Sequence, residues 1–174
     1  MAFPTIKIVS GSSEIDAVAA LAHEIWNQHF VSIIGQAQVD YMLHRFQSVS
    51  AITGQISSGY IYYTITDGGH IVGYFALAPV PDGSGEAQLS KLYVRKNLQG
   101  RGLGRAALEF AEGLCHQMGV RKLWLTVNRH NSSTIDFYWR MGFSIEADVV
   151  QDIGGGFEMD DYRMAKAIAR EDDK

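Results

Sequence analysis

The sequence predicts one mixed α/β domain, 1–174, in which about seven strands form a central mixed sheet flanked by helices. Three observations carry this prediction. Segments with strand periodicity and segments with helix periodicity succeed one another along the whole chain, with no linker, repeat or low-complexity tract between them. Residues 60–66 and 70–78, rich in aromatic and β-branched side chains, flank Asp67-Gly68-Gly69, a strong hairpin signal. Residues 88–94 read as a strand that leads through a glycine-rich turn directly into a helix-like segment, 103–118.

The elements follow in order. Ile6 and Ile8 alternate with Thr5 and Lys7, giving a short first strand. Ser12 or Ser13 then caps a helix with Ile15, Val18, Ala22, Ile25 and Phe30 at near-helical spacing. A second helix over 38–46 buries Val39, Met42, Leu43 and Phe46, and a shorter one covers 50–56, so three helical pieces precede the main sheet. Pro, Gly and Ser make 79–85 a loop. The helix over 103–118 ends near Gly119 and gathers Leu103, Ala107, Phe110, Ala111, Leu114 and Cys115 on one apolar face. Residues 122–127 are strand and 133–141 helix, with Ser133-x-x-Asp136 as a capping box and Gly142 as C-cap. Two last strands, 143–152 and 160–167, join through Gly154-Gly155-Gly156; no helix follows these glycines, so they read as a hairpin loop rather than a phosphate nest. The tail, 170–174, is expected to fray.

Composition narrows the function. A chain of 47% hydrophobic and 20% charged residues buries an ordinary core, and a net charge of −4 without a basic run speaks against nucleic acid or an anionic membrane as partner. The N-terminus has no basic region followed by a long apolar stretch, and no segment approaches the roughly 20 apolar residues of a membrane span, so a cytoplasmic protein is expected. A single cysteine, Cys115, allows no disulfide framework and reads as core packing. His23, His29, His44, His70, His116 and His130 show no zinc spacing, so no metal is expected, and His29 alone is a pocket candidate.

The chemistry lies in two motifs. Gln99-Gly100-Arg101-Gly102-Leu103-Gly104, between strand and helix, aims free backbone N–H groups and the positive end of a helix dipole at one spot, which suits a pyrophosphate. The run matches neither the dinucleotide Gly-x-Gly-x-x-Gly nor the Walker A pattern. It does match Gln/Arg-x-x-Gly-x-Gly/Ala, and downstream Asn131, Tyr138, Gly142 and Phe143 fit Asn-x6-Tyr-x3-Gly-Phe. With both motifs in the right order, the chain resembles the GNAT superfamily of acyl-CoA-dependent N-acetyltransferases.

That resemblance implies a GNAT-like fold whose strands at 88–94 and 122–127 splay apart, a cofactor core at about 86–143, and acceptor-side elements at about 12–58 and 144–167. It implies acetyl-CoA as acetyl donor. Leu92, Tyr93 and Val94 would bond the pantetheine arm and the thioester carbonyl; Gln99, Gly100, Arg101, Gly102, Leu103, Gly104 and Arg105 would hold the pyrophosphate; and Asn131 would hold the pantetheine region. Tyr138 would be the general acid for the departing thiolate.

A base is harder to find. Ribosomal-protein alanine acetyltransferases of this superfamily carry a Glu at the position of Thr126, and histone-type members one at the position of Gln88. Neither residue present here accepts a proton usefully at neutral pH. Glu86, on the same strand face as Gln88, is the nearest carboxylate; a water chain or capture of neutral amine are the alternatives. Trp26, His29 and Phe30 are candidates for the acceptor pocket, with core packing as the competing role. The stretch 148–162 holds Asp148, Asp152, Glu158, Asp160 and Asp161 without Lys or Arg; Asp152 and Glu158 are candidates to attract a cationic amine, with a solvated acidic hairpin as the competing reading. Lys91-Leu92-Tyr93-Val94 and residues 156–164 are also similar to PaiA-type spermidine/spermine N-acetyltransferases. The leading reading is direct acetyl transfer, in a ternary complex, to a primary amine of polyamine-like kind. A peptide or protein N-terminus is the alternative acceptor, and a non-catalytic acetyl-CoA-binding module the alternative of another class. The expected partner is a small-molecule amine, and the sequence leaves a homodimer open.

Overall fold

Strands form here where β-branched and aromatic residues alternate, and helices where apolar residues recur every three or four positions. In the computed structural model, which describes residues 3–81 and 83–169, the elements are β1 (Thr5–Ile8), α1 (Ser12–His29), α2 (Val31–Ile34), α3 (Gln36–Phe46), α4 (Val49–Ser57), β2 (Ile61–Asp67), β3 (His70–Leu77), β4 (Glu86–Val94), α5 (Leu103–Gln117), β5 (Lys122–Asn128), α6 (Ser132–Arg140), β6 (Ser144–Gly154) and β7 (Phe157–Ala167). The seven strands form a mixed sheet in the order β1-β2-β3-β4-β5-β7-β6. The predicted fraying at 170–174 lies outside the described residues. None of the described helices is long and apolar enough to cross a membrane. The chain divides into two compact units, Met1–Pro79 with Lys91–Glu109 and Val80–Ser90 with Phe110–Lys174, so the division passes through β4 and α5.

In the first unit β1 pairs antiparallel with β2, and β2 with β3. The β2–β3 hairpin turns on Gly68 (φ 57°) and Gly69 (φ 83°), the left-handed pair that a two-residue type I′ turn demands. Gly73 serves a different purpose. A Cβ there would stand 2.5 Å from the Tyr93 carbonyl oxygen, so only glycine lets the backbone of β4 come this near. Helix α1 buries Val18, Leu21, Ala22, Ile25 and Trp26 and packs against β3, α3 and α4. Two expectations are corrected here. The N-cap of α1 is Gly11 rather than Ser12 or Ser13, and the Glu14 carboxylate accepts the Ser10 N–H at 2.8 Å to close the entry. Four helical segments precede β2 instead of three, because α1 stops at His29 and Gly35, at φ 82°, separates a short α2 from α3.

In the second unit β5 pairs along its whole length with β7, from Lys122↔Ala167 to Asn128↔Asp161, and β7 with β6. The β6–β7 ladder runs on to Gly154↔Phe157, past the predicted strand ends, and the Asp152 carboxylate accepts the Gly154 N–H at 2.8 Å to fix the glycine turn. Helix α6 starts at Ser132 with Asn131 at its N-cap, so the expected Ser133 capping box does not form. On α5, Leu103, Ala107, Ala111 and Cys115 are buried as expected, whereas Phe110 is exposed and Leu114 half-buried.

The parallel β4–β5 register comprises Glu86↔Lys122, Ala87↔Leu123 and Gln88↔Trp124. Among the described residues no register joins the two strands beyond that point, although β4 runs on to Val94 and β5 to Asn128. A brace of charges closes the paired end. Arg163 of β7 donates to Glu86 of β4 at 2.8 Å and to Glu146 of β6 at 3.2 Å, while Lys122 of β5 pairs with both carboxylates. The Arg163 guanidinium lies 4.0 Å above the Trp124 ring, and the Lys122 hydrogen bond holds the Glu146 carboxyl below the usual carboxylate range.

Candidate active site

In the first unit the glycine-rich run forms an open loop. Gly100 and Gly102 sit at φ 78° and 83°, where L side chains are strained, and a Cβ on either would meet no atom within 4 Å. The Gln99 amide donates to the Val94 carbonyl oxygen at 3.2 Å, folding the loop back onto the end of β4. The first backbone bond of α5 runs from the Ala106 N–H to the Gly102 carbonyl, so the N–H groups of Leu103, Gly104 and Arg105 precede the intrahelical ladder. Gln99, Arg101 and Arg105 are exposed around this turn and Leu103 is buried beneath it. Among the described residues Arg101 makes one long ion pair, with Asp67 at 3.9 Å, and it stays accessible. Open space, aligned donors and exposed cations together fit a pyrophosphate.

Leu92, Tyr93 and Val94 continue β4 in the same unit. Tyr93 packs edge-on against Trp26 (5.6 Å) and Phe30 (6.1 Å), and Trp26 stacks on Phe30 at 4.3 Å. The structure thus gathers the aromatic candidates, but Trp26 and Phe30 are buried and fill the core, while His29, edge-on to Phe30, is half-exposed. Lys91, just before Leu92, is buried among uncharged groups. Its ammonium donates to Tyr62 Oη and Gln55 Oε1, both at 2.6 Å, and it has no ion pair among the described residues. Burial pulls the ammonium down to about 7.

In the second unit Asn131 is buried at the head of α6, at the end of the turn that its own N–H closes onto the Asn128 carbonyl. Tyr138 lies further along α6, 6% exposed, with Phe137 and Phe143 edge-on at 5.2 and 5.4 Å. Burial raises its hydroxyl above the usual phenol range, so it stays protonated at neutral pH. The acidic stretch is less negative than its sequence suggests. Arg129, just beyond β5, holds Asp160 at 2.7 Å and Asp148 at 3.0 Å and lies over the Tyr162 ring. Asp152 and Glu158 remain exposed and face each other in register across the hairpin. Asp161 is buried. The Glu86 carboxylate is ion-paired on both oxygens, with Arg163 at 2.8 Å and Lys122 at 3.5 Å.

Residues 20–143 match the sequence model of the acetyltransferase (GNAT) family. The chain belongs to the GNAT family. A GNAT relative from Lactobacillus delbrueckii subsp. lactis, an uncharacterized N-acetyltransferase in the pepI 3′ region, is 26% identical over 171 residues, 94% of this chain and 98% of that one. The ribosomal protein bS18-alanine N-acetyltransferase of Escherichia coli is 33% identical over 85 residues, which are 49% of this chain and 55% of the enzyme. The crystal structure of the PaiA N-acetyltransferase from Thermoplasma acidophilum in complex with coenzyme A superposes with a TM-score of 0.77 at 20% identity, covering 94% of this chain and 99% of that one.

Three residues of this GNAT chain escape a reading of the sequence: Lys91, Arg129 and Asp161. Each is defined by what the sheet places around it, which no local pattern encodes. Lys91 gives a direct prediction. The folded state resists its protonation down to about pH 7 while the unfolded chain binds that proton up to about pH 10.4, so the cost to stability is full below 7 and fades as pH rises toward 10. Lys91→Met is therefore expected to raise the melting temperature, most at pH 7 and below, with the difference from wild type shrinking by pH 10. Melting curves across that range check it, and a pH-independent difference would mean that the buried charge is not the cause.

Proposed function

We propose that residues 1–174 work as one domain that transfers the acetyl group of acetyl-CoA directly to a primary amine in a ternary complex, with a small polyamine-like molecule as acceptor. Membership of the GNAT family carries the reaction type. For the acceptor, the supporting observation is the exposed Asp152 and Glu158 pair, two anionic groups opposed across the β6–β7 hairpin.

The roles follow the family motifs. Gln99, Gly100, Arg101, Gly102, Leu103, Gly104 and Arg105 hold the pyrophosphate through backbone N–H groups and guanidinium charge. Leu92, Tyr93 and Val94 hold the pantetheine arm and polarise the thioester carbonyl, and Asn131 holds the pantetheine region. Tyr138 gives its proton to the departing thiolate. Trp26, His29 and Phe30 border the acceptor, and His29 is the accessible member of the three. The E. coli relative's acceptor, the alanine of a ribosomal protein, supports protein N-termini as a second reading. A non-catalytic acetyl-CoA-binding module has no need of a buried tyrosine at position 138.

A panel of amines assayed for CoA release separates these readings. Spermidine is expected to turn over, with kcat/KM falling as salt rises, because attraction by exposed carboxylates is screened over a Debye length of about 8 Å at physiological ionic strength. A monoamine should respond much less. Asp152→Asn with Glu158→Gln should raise KM for spermidine with little change in kcat, since that attraction acts alike in the ground and transition states. Equal salt sensitivity for both amines, or turnover of alanine-terminated peptides alone, moves the assignment to protein N-termini.

A further inference from the structure

Amide formation needs a group that takes the proton shed by the attacking nitrogen, and Glu86 is committed to Arg163 and Lys122. Among the described residues Asp161 is the one buried carboxylate, 4% exposed. Its place in the sheet is specific. Register puts it opposite Asn128, the last residue of β5, and alternation puts its side chain on the same face as Arg163, beside Thr126. In open sheets that contain parallel strands, ligands bind outside the carboxyl ends of those strands, where neighbouring strands part. β5 is one of the parallel pair, and its register with β4 has already ended at Trp124. The turn from Asn128 leads within three residues to Asn131.

We propose that Asp161 is the general base of the acetyl transfer. The assignment rests on the acetyltransferase reading above. As the amine nitrogen bonds the thioester carbonyl carbon, its excess proton passes to the Asp161 carboxylate; the C–S bond then breaks, the sulfur leaves with the electron pair, and Tyr138 protonates it. Asp161 releases its proton to solvent and Tyr138 recovers one, so neither is consumed.

The surroundings suit this role. Desolvation pushes the carboxyl up to about 6, against which Thr126 acts by hydrogen bonding. The charged groups that act on it are Asp160, its neighbour on β7, and Arg129 after β5; Arg163 shares its strand face, and Asp148 on β6 lies next to its register partner Val149. Arg129 is held by Asp160 and Asp148, and Arg163 by Glu86 and Glu146, so among the described residues no ion pair reaches Asp161, although the Arg129 charge favours its ionised form and the Asp160 charge opposes it. A buried carboxylate with no committed cation is a proton acceptor near neutrality, but the same burial disfavours its charge. The folded state holds this proton up to about pH 6 and the unfolded chain only to about 3.9, so the ionised form costs stability above pH 6.

Asp161→Asn is tested in the full-length protein with acetyl-CoA and whichever of spermidine or an alanine-terminated peptide the wild type acetylates. At pH 7.5 kcat is expected to fall ~10²-fold or more. The wild-type kcat/KM should decline below about pH 6, and that limb should vanish in the variant. The melting temperature of the variant at pH 7.5 should equal or exceed that of wild type, and its acetyl-CoA thermal shift should persist. Loss of activity together with a lowered melting temperature, or an unchanged kcat, overturns the assignment of Asp161 alone. A wild type that releases CoA with neither amine overturns the acetyltransferase reading and this base with it.

Discussion

Gly102→Glu is expected to abolish the thermal stabilisation that acetyl-CoA gives to the wild-type protein. Two effects add. Gly102 sits at φ 83°, so any side chain there costs about 1–3 kcal/mol of backbone strain. The carboxylate then places negative charge where the donors of the first turn of α5 and the exposed Arg101 and Arg105 favour an anion. At a hundredfold excess over its dissociation constant, a ligand of the native state contributes about 2.7 kcal/mol, a shift that differential scanning fluorimetry reads easily. Gly102→Ala separates the causes, since it carries the strain without the charge and should weaken binding less. The comparison is between shifts and not between melting temperatures, because strain also lowers the stability of the free protein. Equal shifts for wild type and Gly102→Glu would remove the loop from cofactor binding.

Tyr138→Phe is expected to lower kcat by ~10²-fold while leaving the acetyl-CoA shift intact. The substitution keeps the ring that packs against Phe137 and Phe143 and deletes only the hydroxyl. Burial keeps that hydroxyl protonated at neutral pH, which is the state a proton donor to a leaving thiolate must be in. An unchanged kcat in a steady-state assay would strip Tyr138 of its role.

Both predictions use residues legible in the sequence, and the reason is local. A strand, a glycine turn and a helix start are consecutive, so the loop at 99–105 and its geometry follow from eight or so adjacent residues. The hairpin at Gly68 and Gly69 is legible for the same reason. What cannot be read depends on partners distant in the chain. Asp161 reads as one more member of a solvated acidic run with Glu158 and Asp160, and only the register with Asn128 buries it. Arg129 lies outside that run in sequence, yet it supplies the cation that the run itself lacks. Glu86 looks available in the sequence because Arg163 is far from it along the chain. The short α2 is missed because Val31–Ile34 spans a single turn, too short to show a helical period, between two helices whose own periodicity is legible.

The charge brace on Glu86, Lys122, Glu146 and Arg163 has a mechanical consequence. It ties four strands together at one end of β5, where that strand has ladder partners on both sides. From Leu125 to Asn128 its ladder partner among the described residues is β7. The strand is therefore expected to have a stiffer root and a more compliant tip, with hydrogen exchange faster from Leu125 to Asn128 than at Leu123. Because the root is held partly by half-exposed ions, dissolved salt is expected to narrow that difference by loosening the root.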